Sequence, residues 1–98
     1  MILHAALAVL SMAAPGPAQV TVVDNDFKPG LVTVRPGRAV KWTWSGERRH
    51  NVWLERGPRG CGVRRSGSCT RTFRKTGAYD YYCTLHGSMA GRVRVRVP

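Results

Sequence analysis

From Gln19 onward, apolar and polar residues alternate in short runs separated by turn residues. A period of two over four to eight residues marks a strand with one buried face. QVTVVD opens the first such run. LVTVRPG is a strand that ends in a Pro-Gly turn. RAVKWTW puts Val40, Trp42 and Trp44 on one face and Lys41 and Thr43 on the other. In HNVWLE, His50, Val52 and Leu54 share a face. Asn51 and Trp53 point the opposite way, and Trp53 is expected to lie under the loop that follows. TRTFRKTG leads into AYDYYC, where Tyr79, Tyr81 and Cys83 face one side. GRVRVRVP closes the chain with Val93, Val95 and Val97 inward and arginines outward. Those arginines are expected to guard an exposed sheet edge. The tyrosines, Trp42 and Trp44 are expected in the core or its wall. No stretch of helical period and length competes. About seven to eight short strands predict an all-β fold, a Greek-key β-sandwich.

The first residues break this pattern. Ile2 to Ala14 is an apolar run, followed by Pro-Gly-Pro-Ala. It is too short to span a bilayer but suits the apolar part of a secretory leader, with small residues at the cut. A leader over residues 1–18 is therefore expected, cleaved after Ala18 or alternatively near Ala13, with one domain over 19–98. His4 falls in this leader and should play no part. No second apolar segment follows, so no membrane span is expected. The protein should be exported to the periplasm or the extracellular space.

Charge narrows the partners. The 98 residues carry a formal net charge of +11. All of it lies beyond residue 18, because the first eighteen residues hold no Lys, Arg, Asp or Glu. Such a surface favours acidic partners and keeps a small protein soluble. No basic run belongs to a known nucleic-acid module, so nucleic-acid binding is not expected.

The candidate chemistry sits in YYCTLHGSM, where Cys83, His86 and Met89 follow one another at intervals of three. His50 opens its strand on the face that points to the same interior as Cys83. Two neighbouring strands would then bring two imidazoles, one thiolate and one thioether to one end of the sandwich. A thiolate and a thioether are soft donors, and a trigonal His₂Cys set with a weak axial Met is the mark of a blue-copper electron-transfer site. Zinc more often takes more thiolates or keeps a water. An iron–sulfur cluster needs more free cysteines than this chain has. A catalytic Cys–His pair has no use for the methionine. The remaining cysteines, Cys61 and Cys69, flank GVRRSGS in the loop after the His50 strand. In an exported protein two such residues read as a disulfide, the rival reading being a second metal or redox site.

With these residues in place, the chain from Val20 to Val97 resembles the cupredoxins, the small blue copper proteins, and most of all their amicyanin and plastocyanin group. The stretches that carry the resemblance are DFKPGLVTVRPGRAVKWTW, RHNVWL and GAYDYYCTLHGSM followed by GRVRV. The resemblance implies one copper ion held by His50, Cys83, His86 and Met89. It implies that the Asn51 amide donates to the thiolate and that the Asn51 side chain ties the two ligand loops together, with Thr84 as partner. It implies an electron port at His86 with Leu85 beside it. The loop has the short amicyanin spacing, with two residues on each side of His86. Gly87 departs from the proline usual there and loosens the loop. In short-loop relatives the loop histidine can leave reduced copper, and the same is expected of His86.

The resulting expectation is a type 1 copper protein that carries single electrons between exported redox partners by Cu(I)/Cu(II) cycling. It should be monomeric, dock partners with acidic surfaces, and not be an enzyme by itself. The alternatives are a copper-binding or copper-delivery module, and a domain of this fold that has lost its metal. The complete set of four donors argues against both.

Overall fold

A computed structural model describes residues 16–98. The expected leader and His4 lie outside the described residues, except for its last three positions. Of these, Ala18 already pairs with Val40.

The described residues form nine strands: β1 (Ala18–Val23), β2 (Asp26–Lys28), β3 (Leu31–Val34), β4 (Arg38–Trp44), β5 (His50–Leu54), β6 (Cys61–Arg64), β7 (Gly67–Phe73), β8 (Gly77–Tyr82) and β9 (Ala90–Val95). They make two sheets, ordered β2-β1-β4-β7 and β3-β9-β8-β5-β6. The all-β sandwich is as expected. Both sheets are mixed, because β1 runs parallel to β4 and β3 parallel to β9. Two of the strands, β2 and β6, are short runs that alternation did not reveal. Cys61 to Cys69, read as a loop, is instead two strands on different sheets, β6 and β7, joined by a turn that reaches Gly67 with φ of +90°. No helix among the described residues is long and apolar enough to cross a membrane.

The alternating faces meet between the sheets. Val20 and Val22 of β1 and Val40, Trp42 and Trp44 of β4 are buried on one side. Val52 and Leu54 of β5, Tyr79 and Tyr81 of β8, and Val93 and Val95 of β9 are buried on the other. Aromatic rings join the two sheets edge to face. Trp42 and Tyr81 lie 5.4 Å apart, Phe27 and Tyr81 4.8 Å, and Phe73 and Tyr79 5.2 Å. Each such pair adds about 0.5–1.5 kcal/mol beyond the area it buries. Burial pushes the Tyr81 phenol up to about 12, so the ring packs as a neutral aromatic. Its cross-strand partner is Gly91, where any side chain would strike the Tyr81 ring.

Four expectations are corrected. Val97 is 67 % exposed, because β9 ends at Val95 and the last valine has no sheet to face. Trp53 is 52 % exposed rather than covered by the next loop, because that loop runs on into β6 at the sheet edge. Tyr82 is exposed too, since it alternates out from Tyr81. Finally, the arginines of the last strand guard no edge: β9 lies between β3 and β8, and the edges of this sheet are β3 and β6. Arg92 instead forms a surface pair with Asp80, Nε to Oδ1 at 2.6 Å. That pair holds the Asp80 carboxyl below its ordinary value.

Candidate metal centre

Antiparallel pairing builds the site. Trp53 lies opposite Tyr82 and Leu54 opposite Tyr81, so β5 begins where β8 ends. His50 opens β5, and Cys83 follows the last residue of β8. Both side chains turn into the core: His50 is 0 % exposed and Cys83 2 %. The Trp44 indole N–H donates to the His50 carbonyl at 2.9 Å and anchors the start of β5 to the other sheet.

The chain after Cys83 closes on itself. The Cys83 amide donates to the Met89 carbonyl at 3.0 Å, and the Met89 amide to the His86 carbonyl at 3.3 Å. This small ring returns Met89, 1 % exposed, to the base of the loop. It leaves His86 half-buried at the tip and Leu85 51 % exposed beside it. Gly87 sits in open space with no strained backbone requirement.

Three donor atoms converge. Cys83 Sγ lies 3.6 Å from His86 Nδ1 and 3.9 Å from His50 Nδ1. One donor from each of His50, Cys83 and His86 lies within 4.8 Å of the others. Cys83 is the free cysteine, whereas Cys61 and Cys69 are joined by a disulfide with Cα atoms 6.3 Å apart. That bond links β6 of one sheet to β7 of the other, apart from the donor cluster. The cluster contains no carboxylate and no second thiolate. One soft sulfur and two borderline nitrogens suit copper better than zinc, iron–sulfur or a hard cation. The residues present therefore fit a copper ion.

The surrounding bonds hold the donors in place. Asn51 Oδ1 accepts from the Thr84 amide at 2.8 Å and from the Thr84 hydroxyl at 3.3 Å, joining the His50 strand to the Cys83 loop. Among the described residues, the amide that donates to the sulfur is that of Leu85, at 3.4 Å. Among the described residues no hydrogen bond joins the Asn51 amide to Sγ; the turn after Cys83 folds the Leu85 amide back toward it instead. Behind His50, Asp24 Oδ1 lies 3.0 Å from Nε2. Sequence reading missed Asp24. It stands 26 positions before His50, and an aspartate before Asn25 reads only as a turn former.

Comparison with known proteins agrees with this geometry. The family described as copper binding proteins, plastocyanin/azurin family, matches residues 18–96. Amicyanin-alpha of Methylorubrum extorquens is 32 % identical over 96 residues, covering 92 % of this chain and 81 % of its own. Amicyanin of Paracoccus versutus is 35 % identical over 92 residues, covering 85 % and 70 %. A solved oxidised proline-to-alanine mutant of amicyanin superposes with a TM-score of 0.75 at 26 % identity, over 88 % of each chain. A copper-containing nitrite reductase from Thermus scotoductus SA-01 superposes at TM-score 0.72 and 27 % identity, over 87 % of this chain but 23 % of that larger one. The chain belongs to the plastocyanin/azurin family of copper-binding proteins.

Proposed function

We infer that the protein is a type 1 blue copper protein that carries single electrons between redox partners. The observation that carries this reading is the convergence of His50 Nδ1, Cys83 Sγ and His86 Nδ1 on one largely buried point. Copper bound there supplies a one-electron Cu(I)/Cu(II) couple. His50, the Cys83 thiolate and His86 would hold the ion, with the buried Met89 thioether as a weak further donor. The Leu85 N–H draws charge from the thiolate, and such bonds tune a metal site. The Asn51–Thr84 clasp joins the two donor loops. Burial of His50, Cys83 and Met89 would keep water from that side of a bound ion. The outward edge of His86, with exposed Leu85 next to it, is the port at which a partner docks.

The finer reading is a monomer exported to the periplasm after removal of residues 1–18, acting as a carrier and not as an enzyme. All three clustered groups are used as donors, which leaves no acid or base there to work on a substrate. The charge of +11 supports partners that are acidic at the docking surface. Association should then slow as salt is added.

The test is the visible spectrum after addition of Cu(II), beside that of Cys83→Ser. The expected result is an intense blue band in the parent, bleached by ascorbate and absent in the variant. A colourless parent, or one that surrenders its copper at once to a chelator, would reject electron transfer in favour of copper delivery.

A further inference from the structure

The turn between β1 and β2 brings a carboxylate to the back of the buried imidazole. Asp24 Oδ1 lies 3.0 Å from His50 Nε2, while the other ring nitrogen faces the Cys83 sulfur. The carboxylate is itself tightly held. It accepts the Glu47 amide at 2.9 and 3.1 Å and the Arg48 amide at 2.9 Å. Gly46 leaves it room, since a Cβ at that position would run into Asp24. His50 is 0 % exposed, so no water competes for Nε2.

A neutral imidazole carries its proton on one nitrogen or the other, and the partner of the second nitrogen decides which. Here the Nε2–H form donates to Asp24. The Nδ1–H form would set the Nε2 lone pair against a carboxylate oxygen at the same short distance. A carboxylate behind a metal-bound histidine also makes the ring a stronger donor. Its negative charge favours the more positive metal state, and a buried ring between them screens little.

We propose that Asp24 is a positioning residue for the metal. It fixes His50 in the Nε2–H tautomer, which leaves the Nδ1 lone pair for the ion, and it lowers the reduction potential of the bound copper. The proposal rests on the copper reading above, but half of it can be tested with no metal present.

Two variants decide it. Asp24→Asn keeps an acceptor oxygen and removes the charge; Asp24→Ala removes both. In the full chain without metal, at pH 8, nitrogen-15 NMR of the His50 ring should show Nε2–H alone in the parent and a mixture of tautomers in Asp24→Ala. In the copper-loaded protein, Asp24→Asn should keep the blue band and shift the potential upward. Glu47→Pro removes one backbone donor to Asp24 without touching His50, and should lower the thermal midpoint while leaving the potential unchanged. An Asp24→Asn potential equal to the parent's overturns the proposal. So does an Asp24→Ala protein that melts earlier yet keeps the Nε2–H form, which would make Asp24 only a clasp between two loops. Should Asp24→Ala fail to fold, the potential of Asp24→Asn still decides. If the parent takes up no copper, the copper reading fails, and the metal-free tautomer still tests the hold of Asp24 on His50.

Discussion

His50 and His86 present the same nitrogen to the same sulfur from two very different surroundings. His50 starts a strand, is sealed from solvent, and is gripped at its carbonyl by Trp44 and at Nε2 by Asp24. His86 rides at the tip of a closed loop, half-buried, between exposed Leu85 and an unconfined Gly87. Its polar contacts are one ring nitrogen near Cys83 and a backbone carbonyl bonded to Met89. The difference divides the labour. The fixed corner sets the geometry of the site, and the loop offers the exposed edge proposed above as the electron port.

Removing each imidazole is the harshest way to break this contrast. His50→Ala should cost about 2–4 kcal/mol, because it opens a hole in a packed interior and strips Asp24 of a partner. His86→Gly should cost under about 1 kcal/mol, as expected at a half-buried loop position away from the packed core. Free imidazole should restore the blue band to His86→Gly and not to His50→Ala, as read by chemical denaturation and absorption spectra. Equal rescue of both variants would remove the distinction.

The next largest effect concerns the edge of the sandwich beside the fixed corner. The disulfide closes a separation of 8 residues. Replacing both Cys61 and Cys69 by alanine should cost about 2–3 kcal/mol in the chain-entropy description. The blue band should survive, since the bond lies outside the donor cluster. Loss of colour with the fold intact would mean that the corner depends on the bond.

A smaller effect follows from the Asp24 carboxyl. The Glu47 amide, then His50, then the Arg48 amide lower it from 3.8 to about 2 in the folded chain. A depressed folded value means that its contribution is fully present above about 4 and is lost as pH falls toward 2. In the metal-free protein, the part of the stability gap between parent and Asp24→Ala that comes from this carboxyl should therefore close between pH 4 and 2. A gap independent of pH in denaturation curves would contradict this.

The mildest change sharpens the loop side. Gly87→Ala meets no neighbour and no strained backbone. It should stabilise the protein by about 0.4–1 kcal/mol by restricting the unfolded chain. The same substitution should narrow the motion of His86, seen as sharper ring resonances in the reduced protein. Destabilisation would show that the loop needs glycine's freedom.

Much of this was legible beforehand. Alternation in RAVKWTW and AYDYYC placed Trp42, Trp44, Tyr79 and Tyr81 inside, where they lie. The spacing of Cys83, His86 and Met89 marked the loop, and the HN pair marked its counterpart. The misses share a cause. Val97 and Trp53 kept the alternation, but their exposure depends on where strands stop and which strands form edges. The arginines of β9 looked like edge guards because nothing local says that β3 will come from far away to cover that side.

By itself, then, the chain determined what short-range chemistry can write: the strand faces, the donor types and the tight loop that holds three of them. These follow from a two-residue period and from spacings within one turn. Only the tertiary structure decided what stands behind the donors. The parallel register that sets Val22 beside Trp44 also carries Asp24 to the loop before His50. Contacts between segments far apart in sequence depend on how sheets pair, and pairing is an outcome of the whole core rather than of any one stretch.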